Sequence, residues 1–251
     1  MATADITPRV LITGASQGIG KAILLGLARS GHFVLGLSRT RPEEPANRAQ
    51  SGESDRLDWK PLDLSNAAGV AQCAASLEAM PVRALVLSAV DYGANERHSS
   101  TATSAEEWQR VIATNCTGQC VLVSCMLPKL TANSPGIIVN VSSDVALLPG
   151  TGRAAYAASK AGLHAMLRAV SAEYPIERLR VYQLVPTFQL VTTGLRRRRP
   201  AGFDFSSYAD PSVMAEIVEQ IVSTSGRSIE PATYLVRRDG TLDPYSEPTQ
   251  I

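Results

Sequence analysis

The sequence lacks an excess of charge of either sign, since 24 basic residues stand against 23 acidic ones and the formal net charge is +1. Nucleic-acid-binding proteins usually need a strongly basic face, so this balance argues against such a partner. No apolar run reaches the roughly 18 residues that a membrane span needs. Residues 1–9 are polar and lack the pattern of a signal peptide. We therefore expect a cytoplasmic protein that acts without nucleic acid or membrane.

Cysteine is scarce, and the four cysteines include no Cys-x-x-Cys pair. Cys116 and Cys120 are one helical turn apart and could share a metal, but neither a histidine nor a carboxylate lies near them in the sequence. We interpret the cysteines as small buried apolar residues and predict no metal site.

Apolar runs of strand length alternate with helical patterns along the whole chain. A strand at 9–13, a helix at 18–30 and a strand at 32–38 form a βαβ unit. Further strands are predicted at 57–62, 84–88, 136–142, 180–185 and 233–236, and further helices at 67–80, 106–130, 154–173 and 211–224. This order predicts one doubly wound, Rossmann-type α/β domain over residues 1–251, whose mostly parallel, seven-stranded sheet has helices on both faces.

Two stretches interrupt the alternation. Residues 40–55 are rich in Pro, Glu, Arg and Ser and are predicted to form an exposed connection. Residues 188–210 show little periodicity, and loops of that length in a compact domain are usually functional covers or disordered. Neither stretch separates two apolar cores, so the prediction remains one domain.

A glycine-rich segment follows the first strand and leads into the first helix, reading Thr-Gly-Ala-Ser-Gln-Gly-Ile-Gly over residues 13–20. Glycines there allow a tight turn that brings N–H groups against a pyrophosphate, and the helix N-terminus adds partial positive charge. This position between strand and helix predicts dinucleotide binding. The residues assigned to it are Gly14, Ser16, Gln17, Gly18, Ile19 and Gly20.

The end of the second strand distinguishes the two nicotinamide cofactors. A carboxylate there would bind the ribose 2′-hydroxyl and repel a 2′-phosphate. This chain has Ser38 and Arg39 instead, which can donate a hydrogen bond to a phosphate and pair with its charge. The sequence therefore favours NADPH over NADH, although a solvated arginine at a strand end is a common alternative.

Tyr156 and Lys160 are four residues apart at the start of a helical pattern, on one helix face. A tyrosine has a pKa of about 10, and a cation nearby stabilises its phenolate. Ser143, at the carboxyl end of a predicted strand, lies thirteen residues before Tyr156. Open α/β sheets place their sites at that end of their strands.

Together these motifs resemble the short-chain dehydrogenase/reductase family, from the TGxxxGxG turn to residues 238–240. The resemblance implies a catalytic tetrad of Asn115, Ser143, Tyr156 and Lys160. By it, Tyr156 donates a proton to the substrate oxygen, and Ser143 orients that oxygen. Lys160 binds the nicotinamide ribose and lowers the pKa of Tyr156, and Asn115 holds a water of the proton relay.

The same resemblance extends the cofactor site and reveals departures from the family. Asp63 and Leu64 match the family's adenine-contacting pair, and Ala89 flanks the cofactor. The family's Asn-Asn-Ala-Gly is Leu-Ser-Ala-Val at residues 87–90. Valine cannot adopt a positive φ angle cheaply, so we expect a different local backbone. The family's Pro-Gly is Pro186 and Thr187 here, and Thr192 reaches the nicotinamide amide only if the spacing shifts by one.

Residues 188–210 cover the substrate by this resemblance and contain four consecutive arginines at 196–199. They either attract an anionic substrate, such as a carrier-protein or coenzyme A thioester, or form a solvated charge run. The primary functional hypothesis is an NADPH-dependent ketoreductase acting on a small carbonyl substrate. The alternatives are an NADP-dependent alcohol dehydrogenase and a nucleotide-binding scaffold. The resemblance also implies a homodimer or homotetramer.

Overall fold

A computed structural model describes residues 7–43, 56–93, 99–132 and 135–246. The strands are β1 (Arg9–Thr13), β2 (Val34–Ser38), β3 (Leu57–Pro61), β4 (Val82–Leu87), β5 (Gly136–Val141), β6 (Leu179–Pro186), β7 (Thr233–Val236) and β8 (Leu242–Pro244). The helices are α1 (Gly18–Arg29), α2 (Ala67–Ala75), α3 (Ala105–Ile112), α4 (Gly118–Ala132), α5 (Ala154–Glu173), α6 (Thr193–Arg197) and α7 (Ser212–Ser223). The predicted connection at 40–55 lies outside the described residues from residue 44 onward.

The strands form one sheet in the order β3-β2-β1-β4-β5-β6-β7-β8. Strands β1 to β7 pair in parallel, and β8 pairs antiparallel with β7. The predicted doubly wound, mostly parallel sheet is confirmed. Successive strands are added on one side of β1 as far as β3, and on its other side from β4 onward. The boundary between β1 and β4 is therefore the switch point where ligands of such sheets bind.

The sheet has eight strands rather than the predicted seven, because a turn at residues 237–241 folds the chain back onto β7. In this turn the Arg237 N–H donates to the Thr241 oxygen at 2.8 Å, and Gly240 adopts a φ angle of 88°. The returning segment, Leu242–Pro244, is only three residues long. It is too short to show an apolar pattern, so pairing with β7 rather than local sequence defines it.

The helix predicted at 106–130 is two α-helices joined by a π-helical turn at Ala113–Thr117. The Ser104 side chain caps α3 by accepting the Glu107 N–H. Such π-helical turns insert one residue into the helix and are frequent at functional sites. This one carries Asn115, which is fully buried.

Apolar side chains are buried on both faces of the sheet. Helices α1 and α7 cover one face, with Ile23, Leu24 and Leu27 among its core residues. Helices α2, α4 and α5 cover the other face, where Leu122 and Leu163 are fully buried. This two-sided burial explains why the central strands are continuous apolar runs.

The continuous helical stretch Ala105–Ala132 is long and apolar enough to cross a membrane by length and composition. Here α4 contributes Leu122, Val123 and Met126 to the core under the sheet. A core helix passes the same test as a membrane helix, so the stretch is weak evidence for a span.

All four cysteines are free thiols, but only Cys73 is buried as predicted. Cys116, Cys120 and Cys125 are half-buried, and the Cys116 and Cys120 sulfurs lie 4.0 Å apart. No group of three or more His, Cys, Asp or Glu side chains able to hold a metal occurs in the described ranges.

Gly118 begins α4 where this helix approaches the chain after β3, and a Cβ atom there would lie 1.9 Å from the Leu64 backbone oxygen. Gly118→Ala should therefore lower the free energy of unfolding by about 2–3 kcal/mol, because the backbones must move apart. Gly150→Ala is the control, since its Cβ would meet no atom within 4 Å. Urea denaturation compares the variants with the wild type. Equal stability of the two variants would contradict this close packing.

Candidate functional site

The glycine-rich segment forms a tight turn between β1 and α1. Gly14 and Gly18 have φ angles of 68° and 59°, which L side chains rarely adopt. A Cβ on Gly20 would lie 2.4 Å from the Gly14 oxygen. Ser16 is half-buried and Gln17 is exposed on the outside of the turn. The structure thus brings the predicted phosphate-binding residues together at the start of α1.

The Thr13 hydroxyl holds the end of β4 against this turn. Thr13 Oγ1 accepts hydrogen bonds from the Ser88 N–H at 3.0 Å and the Ala89 N–H at 3.2 Å. A Cβ on Gly14 would lie 2.6 Å from the Ala89 Cα. Ala89 therefore lies directly beside the glycine turn, where the resemblance expects it.

Gln119 supports the same contact from α4. Its Nε2 donates to the backbone carbonyl oxygens of Ala89 at 3.3 Å and of Asn115 at 3.1 Å. The 87–90 segment, despite its departure from the family sequence, is thus held by side-chain hydrogen bonds. Val90 does not take a positive φ angle, and in this loop Gly93 does, at 79°.

Ser38 is buried at the end of β2, and its hydroxyl is already engaged. Ser38 Oγ donates to the Thr40 oxygen at 2.8 Å and accepts from Trp59 Nε1 at 3.0 Å. The hydroxyl would have to leave Thr40 to donate to a phosphate. Arg39, the next residue, is exposed.

Asp63 lies close enough to Arg39 for the guanidinium charge to lower the pKa of its carboxyl group. Hydrogen bonds from the Ser65 N–H and hydroxyl, followed by the Arg39 charge, hold the pKa of the Asp63 carboxyl below its usual range. Leu64, in contrast, is buried in the core and lies against Gly118. Of the predicted adenine-contacting pair, only Asp63 therefore presents an exposed side chain.

A cavity of about 150 Å³ lies at the carboxyl end of the sheet. Ser143 and Tyr156 line it together with Ile19 of α1, Pro186 of β6 and Thr192. Its other lining residues are Tyr92, Ser142, Asp144, Arg153, Phe188, Gln189, Leu190, Leu195, Arg198 and Arg199.

Tyr156 lies in the first turn of α5, and its ring contacts Tyr92 with the ring centroids 5.2 Å apart. Burial, followed by the neighbouring Tyr92, raises the pKa of the Tyr156 hydroxyl. The hydrogen bond with Ser143 and the charge of Arg153 oppose this rise. Tyr156 is therefore a neutral phenol near pH 7, the form that can donate a proton.

Lys160 lies one turn further along α5 and is 2% exposed. Its Nζ donates to the Val141 oxygen at 3.1 Å, and burial lowers the pKa of its ammonium to about 8. The rise in the Tyr156 pKa is opposite to the lowering that the resemblance attributes to Lys160. Burial is the largest cause of the rise, and Lys160 is not among its causes.

Asn115 connects the loop after β4 to the start of α5. Its Oδ1 accepts the Asp91 N–H at 2.6 Å, and its Nδ2 donates to the Asp91 oxygen at 2.7 Å and to Ser159 Oγ at 3.0 Å. Ser159 Oγ in turn donates to the backbone carbonyl oxygen of Tyr156 at 2.7 Å. The structure thus places Asn115 in one hydrogen-bonded network with the turn that carries Tyr156.

Thr187, assigned to the cofactor site from the sequence, does not line the cavity. Its N–H and its hydroxyl both donate to the Val236 oxygen, at 3.1 Å and 2.9 Å, because the chain continues β6 beside β7. Thr192 does line the cavity, and its side chain lies 3.3 Å from where a Gly18 Cβ would stand. Thr192 also caps α6 by accepting the Leu195 N–H.

These residues fit a dinucleotide. Among the described residues, the first turn of α1 contains no acidic side chain, and the N-cap Gln17 makes no side-chain cap hydrogen bond. The first N–H groups of α1 can therefore bind a phosphate. Ser142 Oγ, which is buried and lines the cavity, has no hydrogen-bond partner within the described ranges, as expected for a group that binds a ligand.

Sequence reasoning missed Gln119, Asp144 and Arg153. Gln119 is the only amide side chain in α4, which is the one signal that could have identified it. Asp144 follows Ser143 directly, and Arg153 is the residue before α5 begins. Their closeness to predicted site residues could have placed both at the cavity.

A family sequence model described as short chain dehydrogenase matches residues 8–201. A 3-oxoacyl-[acyl-carrier-protein] reductase of Aggregatibacter actinomycetemcomitans is 34% identical over 184 residues, which cover 70% of this chain and 74% of the relative. An NADPH-dependent pterin aldehyde reductase of Arabidopsis thaliana is 30% identical over 179 residues, covering 70% of this chain and 73% of the relative.

A solved structure of a short chain dehydrogenase from Salmonella enterica serovar Typhi is similar over 93% of this chain and 98% of its own. The TM-score is 0.78 and the sequence identity is 26%. The family match, the curated relatives and the fold agree with the motifs, and the chain belongs to the short-chain dehydrogenase/reductase family of oxidoreductases.

Proposed function

We propose that this protein is an NADPH-dependent oxidoreductase that reduces a ketone to a secondary alcohol, with Tyr156 as the proton donor. The observation that carries the proposal is that the Ser143 and Tyr156 side chains line one cavity with Ile19 of the glycine turn. When bound, NADPH supplies a hydride to the carbonyl carbon. The carbonyl oxygen takes the proton of the Tyr156 hydroxyl, which completes the alcohol.

The protein side chains hold and move the proton. Tyr156 is kept neutral by burial, and the transfer leaves a phenolate that the charge of Arg153 stabilises. Ser143 Oγ, which donates to Asp144 Oδ1 at 2.9 Å, would turn to donate to the carbonyl oxygen. Lys160 would bind the nicotinamide ribose, and Asn115 would continue the relay.

The cofactor would lie across the switch point of the sheet. The glycine turn would bind the pyrophosphate, and Asp63 would contact the adenine. On the nicotinamide side the proposed contacts are Ala89, Pro186, Thr192, Tyr156 and Lys160. Thr187, which follows Pro186, is also a proposed contact of the cofactor, although its hydroxyl is bonded to the Val236 oxygen of β7.

NADPH is proposed over NADH because Arg39 is exposed immediately after β2, where an NADH site would carry a carboxylate. The name of the pterin aldehyde reductase relative specifies the same cofactor. The same side chains would serve alcohol oxidation by microscopic reversibility. The scaffold hypothesis is disfavoured, since the altered 87–90 segment keeps its contact with the glycine turn.

We extend the proposal to the organisation of the protein. Residues 1–251 form one NAD(P)-binding domain, with residues 188–210 covering the substrate. The enzyme is proposed to act in the cytoplasm as a homodimer or homotetramer.

Replacing Tyr156 with phenylalanine keeps the ring against Tyr92 and removes the proton. Tyr156→Phe should lower kcat by about 10²- to 10⁴-fold, the usual contribution of a positioned acid, while NADPH binding changes little. Tyr234→Phe is the control, because its hydroxyl bonds the Glu230 oxygen and lies outside the cavity lining. Steady-state ketone reduction and cofactor fluorescence titration measure the two effects. Wild-type turnover by Tyr156→Phe would refute the assigned proton donor.

Arg39→Asp places a carboxylate where the 2′-phosphate is proposed to bind. The ratio of kcat/KM for NADPH to that for NADH should fall by about 100-fold, since a charge-assisted contact is replaced by repulsion. Arg227→Asp, at an exposed position outside the site, controls for the change in net charge. An unchanged cofactor ratio in Arg39→Asp would remove Arg39 from the proposal.

A further inference from the structure

Three of the four consecutive arginines, Arg196, Arg198 and Arg199, contact aromatic rings. Phe203, Phe205 and Tyr208 form a cluster with ring centroids 4.9 to 5.9 Å apart. Arg196 Cζ lies 4.9 Å from the Phe205 ring centroid, and Arg199 Cζ lies 5.1 Å from that of Phe203. These stacking contacts hold Arg196 and Arg199 against residues 203–208 of the same segment.

Arg198 is directed to the cavity by two contacts. Its Cζ lies 4.3 Å from the Tyr92 ring centroid, and its Nε donates to the Gly194 oxygen at 3.0 Å. Tyr92 in turn contacts the Tyr156 ring at 5.2 Å. The Arg198 guanidinium carbon is therefore within about 10 Å of the Tyr156 ring centre, since the separations of 4.3 Å and 5.2 Å meet at one ring.

The cavity wall carries more positive than negative charge. Arg153, Arg198 and Arg199 line it, and Asp144 is its single acidic lining residue among the residues that the structure describes. In those same residues neither Arg153 nor Arg198 forms an ion pair with a carboxylate. Burial raises the pKa of the Tyr92 hydroxyl, and the charges of Arg198 and Arg153 oppose this rise, so both arginines lie near Tyr92.

The cavity is also small. Its volume of about 150 Å³ is below the range of about 300–1,000 Å³ typical of drug-sized ligand pockets. Ile19, Pro186 and Thr192, which the proposed cofactor would contact, line part of this same space. A polycyclic or long-chain ketone would have to extend beyond it.

Resting on the proposed ketone reduction, we infer that the substrate is a small ketone carrying a compact anionic group, which Arg198 and Arg153 bind a few bonds from the carbonyl. The group is a carboxylate, sulfonate or phosphate, each of which accepts the paired donors of a guanidinium. Both arginines are half-buried, so their attraction for an anion exceeds that of fully solvated arginines. Arg198 is thus a specificity-determining residue.

The test compares 4-oxopentanoate with 5-hydroxypentan-2-one, in which a neutral hydroxymethyl group replaces the carboxylate. Binding to the NADPH-saturated enzyme is measured by cofactor fluorescence in a Tyr156→Phe background, where slow turnover leaves the ketone intact. Reduction by the enzyme that retains Tyr156 is followed by NADPH absorbance. The wild type should favour 4-oxopentanoate by about 10- to 100-fold in Kd and in kcat/KM. 2-Oxopropanesulfonate and 2-oxopropyl phosphate identify which anion fits best.

Arg198→Met should remove this preference while leaving the Kd for NADPH within about threefold, and Arg198→Lys should restore part of it. Arg197→Met is the matched control, because Arg197 is exposed in the same run and does not line the cavity. The control should keep the wild-type preference.

The two proposals fail in different ways. If none of the three anionic ketones binds more tightly than the neutral one, or if Arg197→Met and Arg198→Met behave alike, the anionic subsite is overturned and ketone reduction can stand. If the anions bind through Arg198 but no ketone is reduced, the subsite stands and the proposed reduction fails.

Discussion

Between the β1–α1 turn and the end of β4 the two backbones approach so closely that a Cβ on Gly14 would lie 2.6 Å from the Ala89 Cα. The Thr13 hydroxyl bonds two N–H groups across this gap, and Gln119 bonds the same segment from α4. The gap is the switch point of the sheet, where the two halves of the fold separate. Everything that the site requires is arranged around it: the glycine turn on one side, and Asn115 and Tyr156 on the other.

This contact explains why the loop after β4 tolerates a sequence unlike the family pattern. Its residues are held by Thr13 and Gln119, while Asn115 bonds both the N–H and the oxygen of Asp91. Ser159 then links Asn115 to the backbone of Tyr156. One hydrogen-bonded network therefore connects the glycine turn to the first turn of α5, and its buried side chains Thr13, Asn115, Gln119 and Ser159 each have a partner.

The sequence was sufficient for the features that depend on local pattern. The alternation of strands and helices, the glycine turn and the Tyr156–Lys160 spacing each follow from neighbouring residues, and the structure has them where the pattern indicates. Features set by tertiary contacts could not be predicted in this way. Strand β8 exists through its pairing with β7, the π-helical turn at Asn115 interrupts an unbroken helical pattern, and Thr187 is turned away by the continuation of β6.

The position of the arginine run also depends on tertiary contacts that the local sequence does not indicate. From the sequence, residues 196–199 are either a solvated charge run or an anion-attracting cover, and nothing local separates these alternatives. The contact of Arg198 with Tyr92, which joins two distant parts of the chain, places this arginine at the cavity wall, and only the folded structure shows it. The pKa of Tyr156 also depends on the folded state, because burial of its hydroxyl raises that pKa.

We propose that this switch point binds NADPH, with Arg39 selecting the phosphorylated cofactor. Titration of the purified protein with NADPH and NADH, followed by cofactor fluorescence without substrate, tests it most directly. We expect NADPH to bind at least about 10-fold more tightly than NADH, because a charge-assisted contact is present in the NADPH complex alone. Absence of binding by either cofactor, or equal affinity for both, would contradict it.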